Sequence, residues 1–493
     1  MRRLLVPLLA AITAFTLAGV AAAADYTARP PVVASPATSP LPSPCPFQAE
    51  TATQTNYENT EVEPLVAVNP TDPRNVIGVF QEDRWSDGGA HGLLTAVSFN
   101  GGNSYVNTWA EFSACSDFPE TAYFEHLPRA TDPWVSFDAA GRAYQIGLSI
   151  IDGSLSGESA LTTSTSTDGG IHWSEPSQII RASSADAATG LFLDKQSITA
   201  DPYHAGRAWA TWIQGNLPGE DISFSKLSHA FSYRGTPMVS RTTDGGQTWS
   251  TPKPMTTANL YAQGNQIVVL PNGTLVDVQA ILFKGSGIQP NLKGVYMAVM
   301  RSTDNGLHWT SPSKIAPIKT VSESADGSPL RVGDYIPDIA VDPATGALYV
   351  TWADGLGTST NKIVLARSTD GGQHWSAPAV VSHHDSAQSF NHAVAVGNDG
   401  ELAVLYYDDA RNDLNPGIPT DVYLRHSSDG GSTWSAPQLL TSFDFANAPF
   451  ARGYFVGDYQ GLAAQGANDL IAFFGVTGSQ PNSADVLSIG LDR

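Results

Sequence analysis

Ser368-Thr369-Asp370-Gly371-Gly372-Gln373-His374-Trp375 belongs to a series of near-copies that decides the architecture of this 493-residue chain. The others are Ser166-Thr-Asp168-Gly-Gly-Ile-His-Trp173, Thr242-Thr-Asp244-Gly-Gly-Gln-Thr-Trp249, Ser302-Thr-Asp304-Asn-Gly-Leu-His-Trp309 and Ser427-Ser-Asp429-Gly-Gly-Ser-Thr-Trp434. A degraded copy, Ser98-Phe-Asn100-Gly-Gly-Asn-Ser-Tyr105, precedes them. Each sets turn residues at a fixed offset from an aromatic, which suits a hairpin tip. Asp or Asn bonds backbone N–H groups across the turn, Gly supplies positive φ, and the aromatic packs beside the strands. The five close copies stand 59 to 76 residues apart, a spacing that marks a repeat protein.

A second pattern lies between these turns: a short strand, a Gly, Pro or Asp turn, and another apolar strand such as Ala347-Leu-Tyr-Val-Thr-Trp352. It begins at Pro64, Pro133, Gln196, Gln266, Pro337, His392 and Tyr459, which makes seven. Each repeat then holds four strands, two from this hairpin and two around the Asp-Gly-Gly turn. Four-stranded units repeated radially predict an all-β chain folded as a β-propeller. Seven blades are favoured, and six with an odd terminal hairpin is the alternative. The seventh unit stops at Asp485–Leu491, so an N-terminal strand is expected to close the last blade. The candidate segment for that strand is Gln48 to Asn56.

The ends and the composition frame this ring. Arg2 and Arg3, an apolar run from Leu4 to Val20 and Ala22-Ala-Ala24 read as a signal peptide over 1–24, cleaved near Ala24. A Pro-, Ala- and Ser-rich arm over 25–56 follows, expected to lack a core of its own, and the propeller is assigned to 57–493. The chain is therefore expected to be secreted, monomeric and without a membrane span. Its formal charge of −21 argues against nucleic acid or an anionic membrane as a general partner. Cys45 and Cys115 are the two cysteines, and export makes a disulfide the expected pairing, with free thiols as the alternative.

Seven inner strands would aim their leading residues at the channel: Glu63, Asp132, Asp194 with Lys195, Asn265 with Gln266, Asp334 with Asp338, Asn391 with His392, and Asp458 with Tyr459. Such an oxygen-rich ring is compatible with Ca²⁺ at the channel mouth, the alternative being a solvated polar channel. No other cofactor is called for. Arg84, Arg129, Arg331, Arg411 and Arg452 fall in loops that flank the same mouth. Trp85, Trp134 and Tyr459 offer faces on which a sugar would stack.

The Ser-x-Asp-x-Gly-x-x-Trp turn is the Asp-box, or BNR repeat. At this density the chain resembles the sialidase-like β-propeller superfamily and its secreted bacterial-type members, from about residue 60 to the end. The resemblance implies peripheral Asp-boxes that cement the fold. It also implies a mouth where three arginines grip a carboxylate, a Tyr–Glu pair is the nucleophile and an Asp is the acid/base.

Carried over residue by residue, Val79-Phe-Gln-Glu-Asp-Arg84 with Asp87 is similar to the first-blade segment of that family. Gly457-Asp458-Tyr459 resembles the segment bearing the nucleophile, and Gly264-Asn265-Gln266 the Asn-Glu segment. The departures are specific. Gln266 stands where the family has Glu, and Glu63-Pro64 where it has the first clamp arginine. The expectation is a glycoside hydrolase acting on acidic glycans, exo-α-sialidase-like with an incomplete catalytic set. Tyr459, Asp458, Asp87 and Gln266 are its candidate catalytic residues, and Arg84, Arg411, Arg452, Asp132, Trp134, Asp194 and Asp334 the candidate substrate contacts. The alternative is a non-catalytic propeller that binds glycan or protein.

Overall fold

The structure, a computed structural model, describes residues 25–48, 53–116, 124, 127–153, 157–187, 191–216, 234–283, 294–321, 327–333, 335–413 and 415–493. The signal peptide expected over 1–24 and the candidate Asp334 lie outside them. Strands dominate, and among the described residues no helix is long and apolar enough to cross a membrane.

Among the described residues the strand pairings form five sheets, of five, nine, eight, four and four strands, built from antiparallel groups. Their inner strands are Val62–Val68, Arg129–Phe137, Leu191–Ala200, Leu260–Val269, Asp338–Val341, Ser389–Val396 and Gly461–Gln465. Adjacent groups share single residue pairs at Ala90–Ala130 and Gly235–Tyr261. Apolar residues fill the gaps between neighbours. Ile77 and Val79 meet Val135 and Phe137, Tyr144 meets Ile198, Trp209 meets Leu275, and Val278 meets Trp352. Tyr349 meets Tyr406, and Leu405 meets Phe474. Phe473 then meets Val76 and Phe80, so the last group packs on the first and the ring closes.

The Asp-Gly-Gly turns join third and fourth strands and lean on the preceding blade. The Gly372 N–H donates to Ser368 Oγ at 2.9 Å, and the His374 N–H to Asp370 Oδ1 at 3.0 Å. Gly170 has φ +97°, and a Cβ there would lie 2.7 Å from Ile77 Cδ1 of the neighbouring blade. A larger residue would clash twice, with its own backbone and with that side chain. The recurrence of the motif follows from this wedge.

The last blade is closed from the N-terminus by a different segment than Gln48–Asn56. Thr27–Ala28 and Val32–Val33 pair with Ala484–Asp492, whereas Asn56 pairs with Trp85 in the first blade. Register follows side-chain chemistry. Arg29 donates to Gly101 O and Gln465 Oε1, both at 2.8 Å, and pairs with Asp492 at 3.2 Å, stitching the last blade to the first. The arm is also less of a linker than its composition implies, because Tyr26, Ala34, Leu41 and Cys45 are buried. Cys45 is disulfide-bonded to Cys115, with Cα atoms 5.6 Å apart.

Candidate active site

Inner strands do not reach the channel mouth as regular β-structure. Register slips by one residue between Val62 and Leu65, Thr131 and Trp134, Asp194 and Ser197, Gln263 and Gln266, and Phe390 and Ala393. Each bulge holds one residue at positive φ: Glu63 at 58°, Asp132 at 51°, Lys195 at 49°, Gly264 at 69° and Asn391 at 41°. A bulge re-aims a side chain that a regular pleat would send elsewhere. Non-glycine residues held there cost of order 1 kcal/mol each, and such strain gathers at working sites. In the last blade Gly457 does the same work. A Cβ on it would sit 2.9 Å from the backbone of Glu63, so its absence lets Asp458 stand beside Glu63.

These devices converge on a buried charged plug. Lys195 Nζ lies 2.8 Å from Asp458 Oδ2, 3.1 Å from Asp132 Oδ1 and 3.9 Å from Glu63 Oε1. Arg331 meets Asp458 through two bonds, Nε to Oδ1 at 3.0 Å and Nη2 to Oδ2 at 2.6 Å. Arg84 Nη1 donates to Gln81 Oε1 at 2.5 Å, and the Gln81 amide donates to Glu63. Both guanidinium groups also lie over the Phe455 ring, at 4.0 Å for Arg331 and 4.9 Å for Arg84.

The charges divide accordingly. Burial disfavours the Asp458 carboxylate, but Arg331 and Lys195 outweigh it and hold the group far below the usual carboxylate range. Burial likewise opposes the Lys195 ammonium, and Asp132, Asp458 and Glu63 overcome it and raise its pKa. Glu63 goes the other way: burial, then Asp132, push it well above an ordinary glutamate. Glu63, Asp132 and Asp458 thus face the protein's own cations, Lys195 and Arg331, whereas Asp338 accepts from the Ile339 and Val394 N–H groups.

A cleft of about 150 Å³ opens beside the plug, lined by Arg84, Asp87, Asp132, Asp194, Lys195, Arg331 and Arg452. Leu148, Ile150, Phe192 and Leu193 supply an apolar wall. Two of its carboxylates, Asp87 and Asp194, sit in unlike surroundings. Asp87 Oδ1 accepts from Arg129 Nη1 at 2.7 Å, and its other oxygen from Gln54 Nε2 at 2.9 Å. Arg129 is buried over the Trp85 ring at 4.1 Å. Asp194 has a backbone N–H of Lys195 at 2.9 Å, yet burial raises its pKa to about 6 against the pull of the Lys195 charge. Arg452, exposed and at φ 65°, donates to Asp87 O and Gly153 O, both at 3.0 Å.

Of the residues named from sequence, Arg84, Asp87, Asp132, Asp194 and Arg452 therefore share one cleft. Others lie elsewhere. Tyr459, Gln266 and Trp134 line a gap of about 10 Å³ together with Asp458 and His392, and do not line the cleft. The Tyr459 hydroxyl donates to Pro133 O at 3.2 Å, its ring 5.3 Å from that of Trp134, and burial pushes its pKa up. Gln266 Nε2 donates to Pro337 O at 2.7 Å. Neither of these bonds joins Tyr459 to Gln266. Arg411 is bound to Asp421 and does not line the cleft. Lys195 and Arg331, placed by the sequence at the channel mouth but not among the candidate substrate contacts, also line the cleft. Val332-Gly-Asp-Tyr335 repeats as Val456-Gly-Asp-Tyr459, and each copy follows an arginine, Arg331 directly and Arg452 by three residues.

No model of a known protein family matches this chain, and no curated protein matches it in sequence. Solved structures do resemble it. A Hadza microbial sialidase is 15% identical with a TM-score of 0.48, over 81% of this chain and 73% of that one. The α-L-arabinanase of Penicillium chrysogenum, solved with arabinobiose, is 12% identical with a TM-score of 0.45, over 94% and 98%. The intramolecular trans-sialidase of Ruminococcus gnavus is 14% identical with a TM-score of 0.41, over 90% and 97%.

Proposed function

We propose that this protein is a secreted glycoside hydrolase whose chemistry takes place in the cleft between Asp87 and Asp194, on glycans that carry acidic groups. The observation that carries this reading is the unlike surroundings of Asp87 and Asp194, two of the carboxylates that line one small cleft. Asp87 Oδ1 is paired with Arg129 Nη1 at 2.7 Å, and Asp194 is raised to about 6 by burial. A glycosidase needs such a division, one protonated carboxyl to protonate the leaving oxygen and one ionised carboxylate opposite it. Asp194 takes the first role and Asp87 the second. The exposed guanidinium of Arg452, with the part-exposed Arg331 and Lys195, supplies positive charge for an anionic sugar.

A second reading has its own support. Arg331 and Arg84 already spend donors on Asp458 and Gln81, and Tyr459 does not line the cleft. That arrangement favours a propeller that binds glycan or protein without cleaving it.

The deciding experiment is a hydrolysis screen with acidic oligosaccharides, run on wild type, Asp194→Asn and Asp87→Asn. Turnover should fall by roughly 10²-fold or more in both variants while glycan binding persists. In wild type kcat/KM should decline as pH rises through about 6, the limb set by Asp194, and Asp194→Asn should lose that limb. Glycan binding with no turnover on any substrate would establish the binding propeller instead.

A further inference from the structure

The crossover between the fifth and sixth blades brings His383 and His384 against Asp408, where the second strand of the sixth blade ends. One ring nitrogen from each histidine and a carboxylate oxygen lie within 4.8 Å of one another. From this we infer that His383, His384 and Asp408 form a binding site for a divalent first-row transition ion, with zinc as the probe. None of the three lines the cleft between Asp87 and Asp194.

The donor set selects the ion class. Two imidazoles and one carboxylate suit Zn²⁺ and its transition-metal neighbours, whereas Ca²⁺ and Mg²⁺ require oxygen. Zn–N bonds of about 2.0–2.1 Å in a tetrahedron place ligand atoms roughly 3.4 Å apart. Closing from 4.8 Å therefore asks each group to move by about an ångström, within reach of side-chain rotation.

Outer contacts are already in place. Asp408 is buried, accepting from Ser389 Oγ at 3.1 Å and from the Ala410 N–H at 2.9 Å. His383 Nδ1 is 2.8 Å from the Tyr406 hydroxyl, an arrangement that fixes the ring and leaves Nε2 as the ligand atom. His384 Nδ1 is 2.9 Å from Asp408 Oδ1, a bond the ion would replace. The imidazole rings lie 3.7 Å apart by their centroids. His384 is 36% exposed, which leaves a path for the ion and room for a water as fourth ligand. Two cations stand nearby with their donors directed elsewhere: Lys362 at His384 O and Ala387 O, at 2.8 and 2.9 Å, and Arg425 at Ser435 O and Val381 O, at 2.9 and 2.7 Å.

The test uses the untagged mature protein, stripped by a chelator and titrated with Zn²⁺ by calorimetry, with Co²⁺ absorption as a report on geometry. One ion per chain should bind, Tm should rise with zinc, and Co²⁺ should give a low-coordinate visible spectrum. His383→Gln and His384→Gln, both partly exposed sites expected to fold, should each weaken binding by roughly tenfold or more. The turns carry three exposed Asp–His pairs, Asp168–His172, Asp304–His308 and Asp370–His374. A triple His→Gln variant of those turns should keep the stoichiometric site. Absence of zinc binding at micromolar concentrations overturns the inference. So does binding unchanged in His383→Gln/His384→Gln, or binding lost in the turn variant.

Discussion

Arg331 grips Asp458 through two parallel bonds, at 3.0 and 2.6 Å, while Lys195 reaches the same carboxylate from a third blade at 2.8 Å. Three blades are thereby tied at the mouth by one ionised side chain. Replacing Arg331 with Leu leaves Asp458 with Lys195 alone. The expected loss is about 3 kcal/mol, the low end for unpairing a buried charge, because Lys195 remains and Arg331 is 24% exposed. Urea unfolding of Arg331→Leu against wild type measures it. The double variant with Asp458→Asn should recover part of the loss, and a single variant as stable as wild type would show the pair to be ornamental.

Gln266 bears on whether a sialidase-type centre has merely decayed. Its amide nitrogen donates to Pro337 O, and Tyr459 bonds Pro133 O, both beside a gap of about 10 Å³ that is separate from the cleft. Gln266→Glu replaces that donor by a carboxylate facing a carbonyl oxygen. It should lower stability by about 1–3 kcal/mol and create no turnover of sialosides. Thermal denaturation and a fluorogenic sialoside assay read the two effects. New turnover that vanished in Gln266→Glu/Tyr459→Phe would refute this placement.

The outline of the ring was legible because its cause is local. A turn of Ser, Asp and two glycines wedged on the preceding blade leaves a spaced trace, and seven alternating hairpins leave another. Two residues that line the cleft, Arg84 and Asp87, were legible at and just beyond the end of the strand Val76–Trp85. The plug was not, because its members are brought together by bulges at Glu63, Asp132 and Lys195. A bulge depends on pairing between strands, and the sequence shows no period that announces it. Tyr459 illustrates the same limit. Its position before the last inner strand was readable, but which side of the plug its hydroxyl faces depends on Gly457 and Gly333 against neighbouring backbone. The closing strand was misplaced for a related reason. Arg29 and its partners Gly101 and Gln465 lie 72 and 436 residues apart, beyond any local pattern.

The arm's contact with the ring should respond to pH through a buried pair of glutamates. Glu61 and Glu82 are both fully buried, with Asp83 and Asp485 nearby and Ser35 and Ser39 supplied by the arm. His91 faces Asp83 at 3.1 Å. Burial and then Asp83 push Glu82 up to about 8, and burial and then Glu82 raise Glu61 well above the usual range. A carboxyl raised in the folded state stabilises fully below its unfolded value and loses that contribution as pH climbs through the folded one. Docking of residues 25–45 should therefore weaken between about pH 5 and about pH 9. The Cys45–Cys115 bond keeps the arm tethered, so hydrogen exchange of the Thr27–Val33 amides is the proper readout, with Tm as support. Protection should fall as pH rises, after correction for intrinsic exchange, and Glu82→Gln should flatten the dependence. Protection that stayed constant or grew over this range would mean that the two carboxyls are ionised as docked, and the assignment would fail.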